Sequence, residues 1–300
     1  MKRNITVIGV PMDLGQLKRG VDMGPQAIRY AGVIEKLQTL QYDVSDFGDI
    51  KVVDVASENS FVAENLNNLT AVKKVNEMLA NTVDETIERG DFPLVFGGDH
   101  SIAIGSLAGI AKHYKNIGVI WFDAHGDMNT DKTSPSGNIH GMSLAASVGH
   151  GHPSLVHLFE AKTKIQPENV VLIGVRELDR GEIELLRQLN VKVFTMHEVD
   201  TMGMKAVMDE ALQYLQDRTD KIHVSFDLDV LDPSEAPGVG TPVIGGITYR
   251  EAHVALELLA KTKGIISAEF VEVNPILDVR NKTAELTVSL IGSLFGETLF

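Results

Sequence analysis

The stretch Gly118-Val119-Ile120-Trp121-Phe122-Asp123-Ala124-His125-Gly126-Asp127 decides how this chain is read. A short apolar run passes without a polar break into an Asp-x-His-x-Asp triplet. Continuous apolar runs of this length mark strands buried on both faces, as in parallel sheets covered by helices. Such sheets place ligand sites beyond the carboxyl ends of their strands. Alternate side chains of an extended segment share a face, so an extended continuation lets Asp123, His125 and Asp127 converge on one point. A second reading stays open at this stage, because acidic residues after a strand also cap the helix that follows.

Outward from that stretch, short apolar runs keep alternating with longer segments of helical spacing. Candidate strands are Ile5 to Val10, Tyr42 to Phe47, Pro93 to Phe96, Gly118 to Phe122, Val170 to Ile173, Val191 to Thr195, Ile222 to Asp227 and Ile265 to Val273. Ala71 to Arg89, Ile102 to His113, Glu182 to Leu189, Lys205 to Arg218 and Tyr249 to Lys261 read as amphipathic helices. Strand and helix in turn is the rhythm of a parallel sheet built from βαβ units. The polar stretch from Asp49 to Asn68 lacks periodicity and reads as a surface excursion, not a linker. No internal repeat or low-complexity tract intervenes, so residues 1–300 are expected to form one α/β domain.

Two further strand ends carry chemistry. Ile222-His223-Val224-Ser225-Phe226-Asp227-Leu228-Asp229 sets Asp227 and Asp229 two residues apart, and carboxylates that close repel unless a proton or a cation lies between them. Capping suits Asp232, before Pro233, better than it suits this pair. Phe96-Gly97-Gly98-Asp99-His100 brings an imidazole to the same edge of the sheet. Four carboxylates and two imidazoles form an oxygen-rich donor set, better suited to Mn²⁺ than to zinc, and four carboxylates call for two divalent cations. With a hydroxide added, one negative charge remains for a cationic substrate to match.

Composition narrows the alternatives. The 300 residues are 44% hydrophobic, enough for a large core, and the net charge of −14 argues against nucleic acid or anionic lipid as partners. With no cysteine there is no disulfide, no thiolate zinc site and no thiol nucleophile, which excludes a cysteine-type arginine deiminase. No Gly-x-Gly-x-x-Gly follows the first strand, against a dinucleotide-binding reading. The start of the chain, through Val10, reads as a strand and not as a leader peptide. No apolar stretch approaches the roughly 20 residues of a membrane span, so a cytoplasmic protein is expected.

Taken together, Gly97 to His100, Asp123 to Asp127 and Ser225 to Asp229 resemble the three signatures of the ureohydrolase family. The likeness runs from Gly9-Val10-Pro11-Met12-Asp13-Leu14-Gly15 and Arg19-Gly20-Val21-Asp22-Met23-Gly24-Pro25 to Glu272-Val273-Asn274-Pro275. It implies a three-layer α/β/α sandwich around an eight-stranded parallel sheet, in agreement with the eight strands read above. It also implies two Mn²⁺ ions per subunit, one held by His100, Asp123, Asp127 and Asp227, the other by Asp123, His125, Asp227 and Asp229. Asp123 and Asp227 would bridge.

Within the family, Ser134-Pro135-Ser136-Gly137-Asn138-Ile139-His140-Gly141 resembles the loop of arginases and not that of agmatinases, although such residues are also ordinary loop chemistry. The resemblance assigns the α-carboxylate of L-arginine to Asn129, Ser134, Ser136 and Asn138, and the α-ammonium to Asp179 and Glu182. Thr241 joins the substrate contacts on the same ground. Hydrolysis to L-ornithine and urea would proceed through a hydroxide bridging the metals, with Asp127 passing a proton to the leaving amine, His140 shuttling protons and Glu272 pairing with the guanidinium. An agmatinase or other guanidino hydrolase is the alternative. The family assembles as trimers or hexamers, with Arg250 and Glu251 at positions of subunit contact. Two residues depart from its pattern: Ser143, where many arginases carry Pro, and Val230, where Gly or Ala is commoner.

Overall fold

The computed structural model describes residues 3–52, 66–160, 163–219 and 221–299. Its centre is a parallel sheet of strands β1 (Ile5–Val10), β2 (Val44–Asp49), β3 (Phe92–Gly97), β4 (Ile117–Phe122), β5 (Val170–Val175), β6 (Lys192–Thr195), β7 (Lys221–Asp227) and β8 (Ile265–Val271). In space they run β2-β1-β3-β8-β7-β4-β5-β6. Each expected strand is present, its ends moved by at most two residues. β8 stops at Val271 and not at Val273, because Glu272 turns into the left-handed region at φ 67° and leaves the sheet. Most of the expected excursion after Asp49 lies outside the described residues.

The helices are α1 (Gly24–Tyr30), α2 (Val33–Thr39), α3 (Leu69–Glu88), α4 (Ala103–Ala111), α5 (Ser143–Ser147), α6 (Pro153–Val156), α7 (Arg180–Leu189), α8 (Met196–Met202), α9 (Met204–Gln216), α10 (Tyr249–Ala260) and α11 (Lys282–Leu294). The five expected from apolar spacing are α3, α4, α7, α9 and α10. α11 escaped that reading because its buried residues include Thr283, Thr287, Gly292 and Ser293, which blur the apolar stripe.

Alternation along the strands sorts the core into two layers. Ile5 and Val7, then Phe92, Leu94 and Phe96, then Ile120 and Phe122 pack on one face with α1, α2, α9, α10 and α11. Ile8, Val10, Val95, Val119 and Trp121 pack on the other with α3, α4 and α5. The inner strands are buried along their length, while edge strand β2 is largely exposed, its Asp46 and Asp49 held by Arg29. At the carboxyl end of β3, Gly98 lies so close to Met12 that a β-carbon would stand 1.9 Å from its carbonyl oxygen. That contact draws the segment after β1 over the ends of β3 and β8. Among the described residues no helix is long and apolar enough to cross a membrane.

Candidate metal centre and its surroundings

The four central strands, β3, β8, β7 and β4, each end at the same place. His100 stands in a helical turn (His100–Ile102) after β3, capped by Asp99, whose carboxylate accepts from Ser101 N–H. Asp123 directly follows β4, Asp227 closes β7, and Asp229 lies in the next turn (Leu228–Val230). Asp123, His125 and Asp127 converge, but not by pleat alternation. The strand has already ended at Phe122, and Asp127 is turned inward by a left-handed backbone at φ 51°. Such strained residues collect at functional sites.

His100 Nδ1 lies 3.1 Å from Oδ2 of Asp123, of Asp127 and of Asp227 alike. One ring N–H cannot point at three oxygens, whereas ligand atoms around a small divalent cation adopt spacings of about 3 Å. His125 Nδ1 stands 3.3 Å from Asp123 Oδ1 and 3.1 Å from Asp229 Oδ2. Two groups with metal-ligand spacing therefore share Asp123: His100 with Asp123 and Asp227, and Asp123 with His125 and Asp229. Asp227 belongs to the first of these groups and also meets the second, its Oδ1 accepting from Asp229 N–H at 2.8 Å. A third group, Asp84, Glu88 and His113, lies apart at α3, where Lys112 already neutralises Asp84.

Burial opposes charge throughout the cluster, and the carboxylates crowd one another. At Asp127 burial and the charge of Asp123 push the carboxyl well above its usual range; at Asp227 burial and the charges of Asp229 and Asp123 do the same. Burial also pulls the imidazoles down, yet Asp123 and Asp227 hold His100 well above its ordinary value, and Asp229 and Asp123 hold His125 above it. The donor set thus demands extra positive charge, as protons or as cations.

Outer residues fix this arrangement. His100 Nε2 meets Ser225 Oγ at 2.8 Å, and Ser225 Oγ donates to Glu269 Oε1 at 2.8 Å, which leaves Nδ1 free to ligate. Trp121 stacks on His100 at 4.2 Å and donates from Nε1 to Asp123 Oδ2. Thr241 Oγ1 donates to Asp229 Oδ2 at 3.0 Å. Arg176 Nη2 donates to the carbonyls of Asp229 and Val243, both at 2.7 Å, and Nη1 to those of Gly174 and Val230, both at 3.2 Å. Glu272 Oε1 accepts from His100 N–H at 3.0 Å and faces His140 Nδ1 at 3.3 Å. Burial draws His140 down, but Glu272 more than offsets it and raises the imidazole to about 9. A cavity of about 630 Å³ lies apart, lined by residues such as Leu186, Arg187, Lys192 and Tyr214, with no carboxylate among its lining.

Comparison with known proteins matches residues 3–296 to the model of the arginase family. The chain belongs to the arginase family. It is therefore a ureohydrolase by descent. It is 63% identical over 295 residues to the arginase of Bacillus caldovelox, covering 98% of this chain and 99% of that one. The crystal structure of B. caldovelox arginase superposes with a TM-score of 0.97 at 62% identity over all of both chains. The arginase of Entamoeba histolytica, solved in complex with L-ornithine, gives 0.90 at 35% identity, covering 98% of this chain and 99% of that one. The α/β/α sandwich expected from the sequence is the arginase fold.

The loop that resembles the arginase substrate loop is held from several sides. Ser134 Oγ accepts from Gly137 N–H, Ser136 Oγ from Asn138 N–H, and Asn67 Nδ2 donates to Asn138 Oδ1 at 2.9 Å. Asn129 Nδ2 donates to Asp179 Oδ2 at 2.8 Å, joining two residues expected to meet opposite ends of an amino acid's head group. Glu182 is buried and both its oxygens are taken by backbone, Oε1 by Met128 N–H and Oε2 by Asp179 N–H. It forms a capping box for α7 and holds the chain next to Asp127. Thr241 reaches the Asp229 carboxylate. Of the two departures from the arginase pattern, Val230 is fully buried and packs onto Gly174, where a β-carbon would stand 2.4 Å from its Cγ2. Ser143 is also buried, and its Oγ donates to Asp127 Oδ2 at 3.0 Å, a bond that Pro cannot make. The sequence reading missed Gln16, Ser143, Arg176, Ser225 and Glu269 as parts of the site.

Proposed function

We propose that this protein is an arginase that hydrolyses L-arginine to L-ornithine and urea with two Mn²⁺ ions per subunit. The observation that carries the proposal is the pair of ligand groups joined by Asp123 at the centre of an arginase-family sheet. His100, Asp123, Asp127 and Asp227 would hold one cation, and Asp123, His125, Asp227 and Asp229 the other. Two such cations acidify water and so supply a nucleophile near neutral pH.

The chain's own residues do the rest. The carboxylate of Glu272 is oriented by the backbone of His100 and by Gln16, and would pair with the guanidinium. Asp127 is clamped: Leu144 and Ala145 N–H donate to its carbonyl and Ser143 to its side chain. It would pass a proton to the departing amine of ornithine. His140 is partly exposed and touches Glu272, so it would exchange protons between solvent and site. Asn129, Ser134, Ser136 and Asn138 would receive the α-carboxylate and Asp179 and Glu182 the α-ammonium, with Thr241 a further substrate contact beside Asp229. The L-ornithine bound by the Entamoeba arginase supports an amino-acid substrate. We place the enzyme in the cytoplasm as a trimer or hexamer, with Arg250 at the subunit contact and Glu251 capping α10 beside it.

The test is urea release from L-arginine and from agmatine, side by side, by Mn²⁺-loaded protein. Agmatine lacks the α-carboxylate. Losing two hydrogen bonds to that charge costs about 3–6 kcal/mol, so agmatine is expected to be poorer in kcat/KM by roughly 10²–10⁴. Equal efficiency would make the enzyme a general guanidino hydrolase. Urea from neither would reject the function.

A further inference from the structure

Gln16 lies between β1 and α1, in the segment that Gly98 draws over the sheet, and is 4% exposed. Its Nε2 donates to Glu272 Oε2 at 3.0 Å. An ionised carboxylate only accepts, so the donor end of the amide must face Glu272, and the chemistry of the pair fixes which end is oxygen. That oxygen, Oε1, is buried without a hydrogen-bond partner among the described residues. Buried acceptors are normally satisfied, and one left open beside a binding group calls for a ligand that brings a donor.

The space beside it is kept open by Gly240. A β-carbon there would stand 2.4 Å from Glu272 Oε2 and 3.2 Å from both Nε2 and Oε1 of Gln16. Gly240 is itself pinned, its carbonyl taking Lys18 Nζ at 3.0 Å and its N–H reaching the Glu272 carbonyl at 3.3 Å. Across the same corner, His140 N–H donates to the Gly15 carbonyl at 3.0 Å. Glu272, with its left-handed backbone, is thus approached by a rigid amide presenting one donor to it and one unused acceptor beside it.

A guanidinium is the group this corner fits, because it carries five N–H donors in a plane and no acceptor. An ammonium is a compact point charge and has no comparable fork. We infer that Gln16 determines specificity for the guanidinium end of the substrate: Oε1 accepts one guanidinium N–H while Nε2 holds Glu272 in place to accept others. This rests on the arginine reading above and adds an uncharged acceptor to the carboxylate.

The experiment uses Gln16→Met, which keeps the length of the side chain and removes both polar ends. Urea release by the unmutated, Mn²⁺-loaded enzyme comes first; its failure rejects the arginine reading, whereas the comparison of variant with parent concerns Gln16 alone. In the variant, KM for L-arginine is expected to rise roughly 10-fold or more, the scale of one lost hydrogen bond to a charged group. The inhibition constant of L-ornithine, which shares the amino-acid head but ends in an ammonium, should stay within about twofold, and metal content should be unchanged. An unchanged KM overturns the inference, including the case of a lower kcat alone, where Gln16 would serve only to hold Glu272. A parallel loss of L-ornithine binding or of metal also overturns it, since Gln16 would then support the site as a whole.

Discussion

Replacing Arg176 with Met removes the fork that ties the turn after β7 to the end of β5. Its two short hydrogen bonds, to the carbonyls of Asp229 and Val243, are donated by a charged group, and each such bond contributes about 1.5–3 kcal/mol. The side chain is partly exposed, so water replaces some of what is lost, and the net destabilisation is expected at about 2–4 kcal/mol. That corresponds to roughly thirtyfold to several-hundredfold in the folding equilibrium. Urea unfolding of metal-free protein measures it without the added stability of a bound cation. Because the Asp229 carbonyl loses its anchor, Mn²⁺ titration should also weaken more at the position shared by His125 and Asp229 than at the one beside His100. Arg176→Lys keeps the charge but offers a point in place of a fork, and is expected to recover only part of the loss. An unfolding midpoint and Mn²⁺ affinities equal to those of the unmutated protein would refute the reasoning.

Chelation should abolish urea release and lower the thermal midpoint, with Mn²⁺ restoring both; Asp123→Asn, at the shared ligand, should lower occupancy of both positions by metal analysis, and loss of only one would show that Asp123 does not bridge. His140→Asn should lower kcat by roughly 10-fold or more with metal content unchanged. The same change should alter stability against pH. The folded imidazole titrates at about 9 against roughly 6.5 unfolded, so its contribution is complete below pH 6.5 and is lost as pH rises through 9. Urea unfolding of metal-free protein at those two pH values should show a smaller decline in the variant, and an equal decline would remove His140 from that account. Ser143→Ala deletes the hydroxyl on Asp127 Oδ2 and should reduce kcat by about 10-fold while leaving KM for arginine near its original value; a change in KM alone would mean that Ser143 shapes the pocket instead.

The strands were legible because buried parallel strands favour unbroken apolar runs, and β4 and β5 each have one, while β7 keeps Ile222, Val224 and Phe226 in alternation. The order of the strands was not, since apolarity states that a strand is buried and not beside which neighbour. The candidate ligand residues were legible as types at close spacing, but the means of their convergence was not. Nothing marks Asp127 for a left-handed backbone, because Asp tolerates that region and occurs in many others. Gln16, Arg176 and Ser225 act on partners far along the chain, and no local pattern announces them. Glu182 was different: Asp179 followed three residues later by Glu182 is a capping signal present in the sequence, and the structure has that capping box.

β3 and β4 follow one another along the chain, yet β8 and β7 lie between them in the sheet. While the protein is being synthesised, β2-β1-β3 and β4-β5-β6 can each assemble, but their facing edges stay unpaired until Lys221–Val271 has emerged and inserted. Asp227 and Asp229 arrive with that insertion, so the cation position is absent from any nascent chain that has not completed it. Folding ends with a non-local pairing that is slow to find, and fragments ending before β7 carry two bare strand edges that invite aggregation. Capture of metal then serves as a chemical signature that the last seam of the sheet has closed.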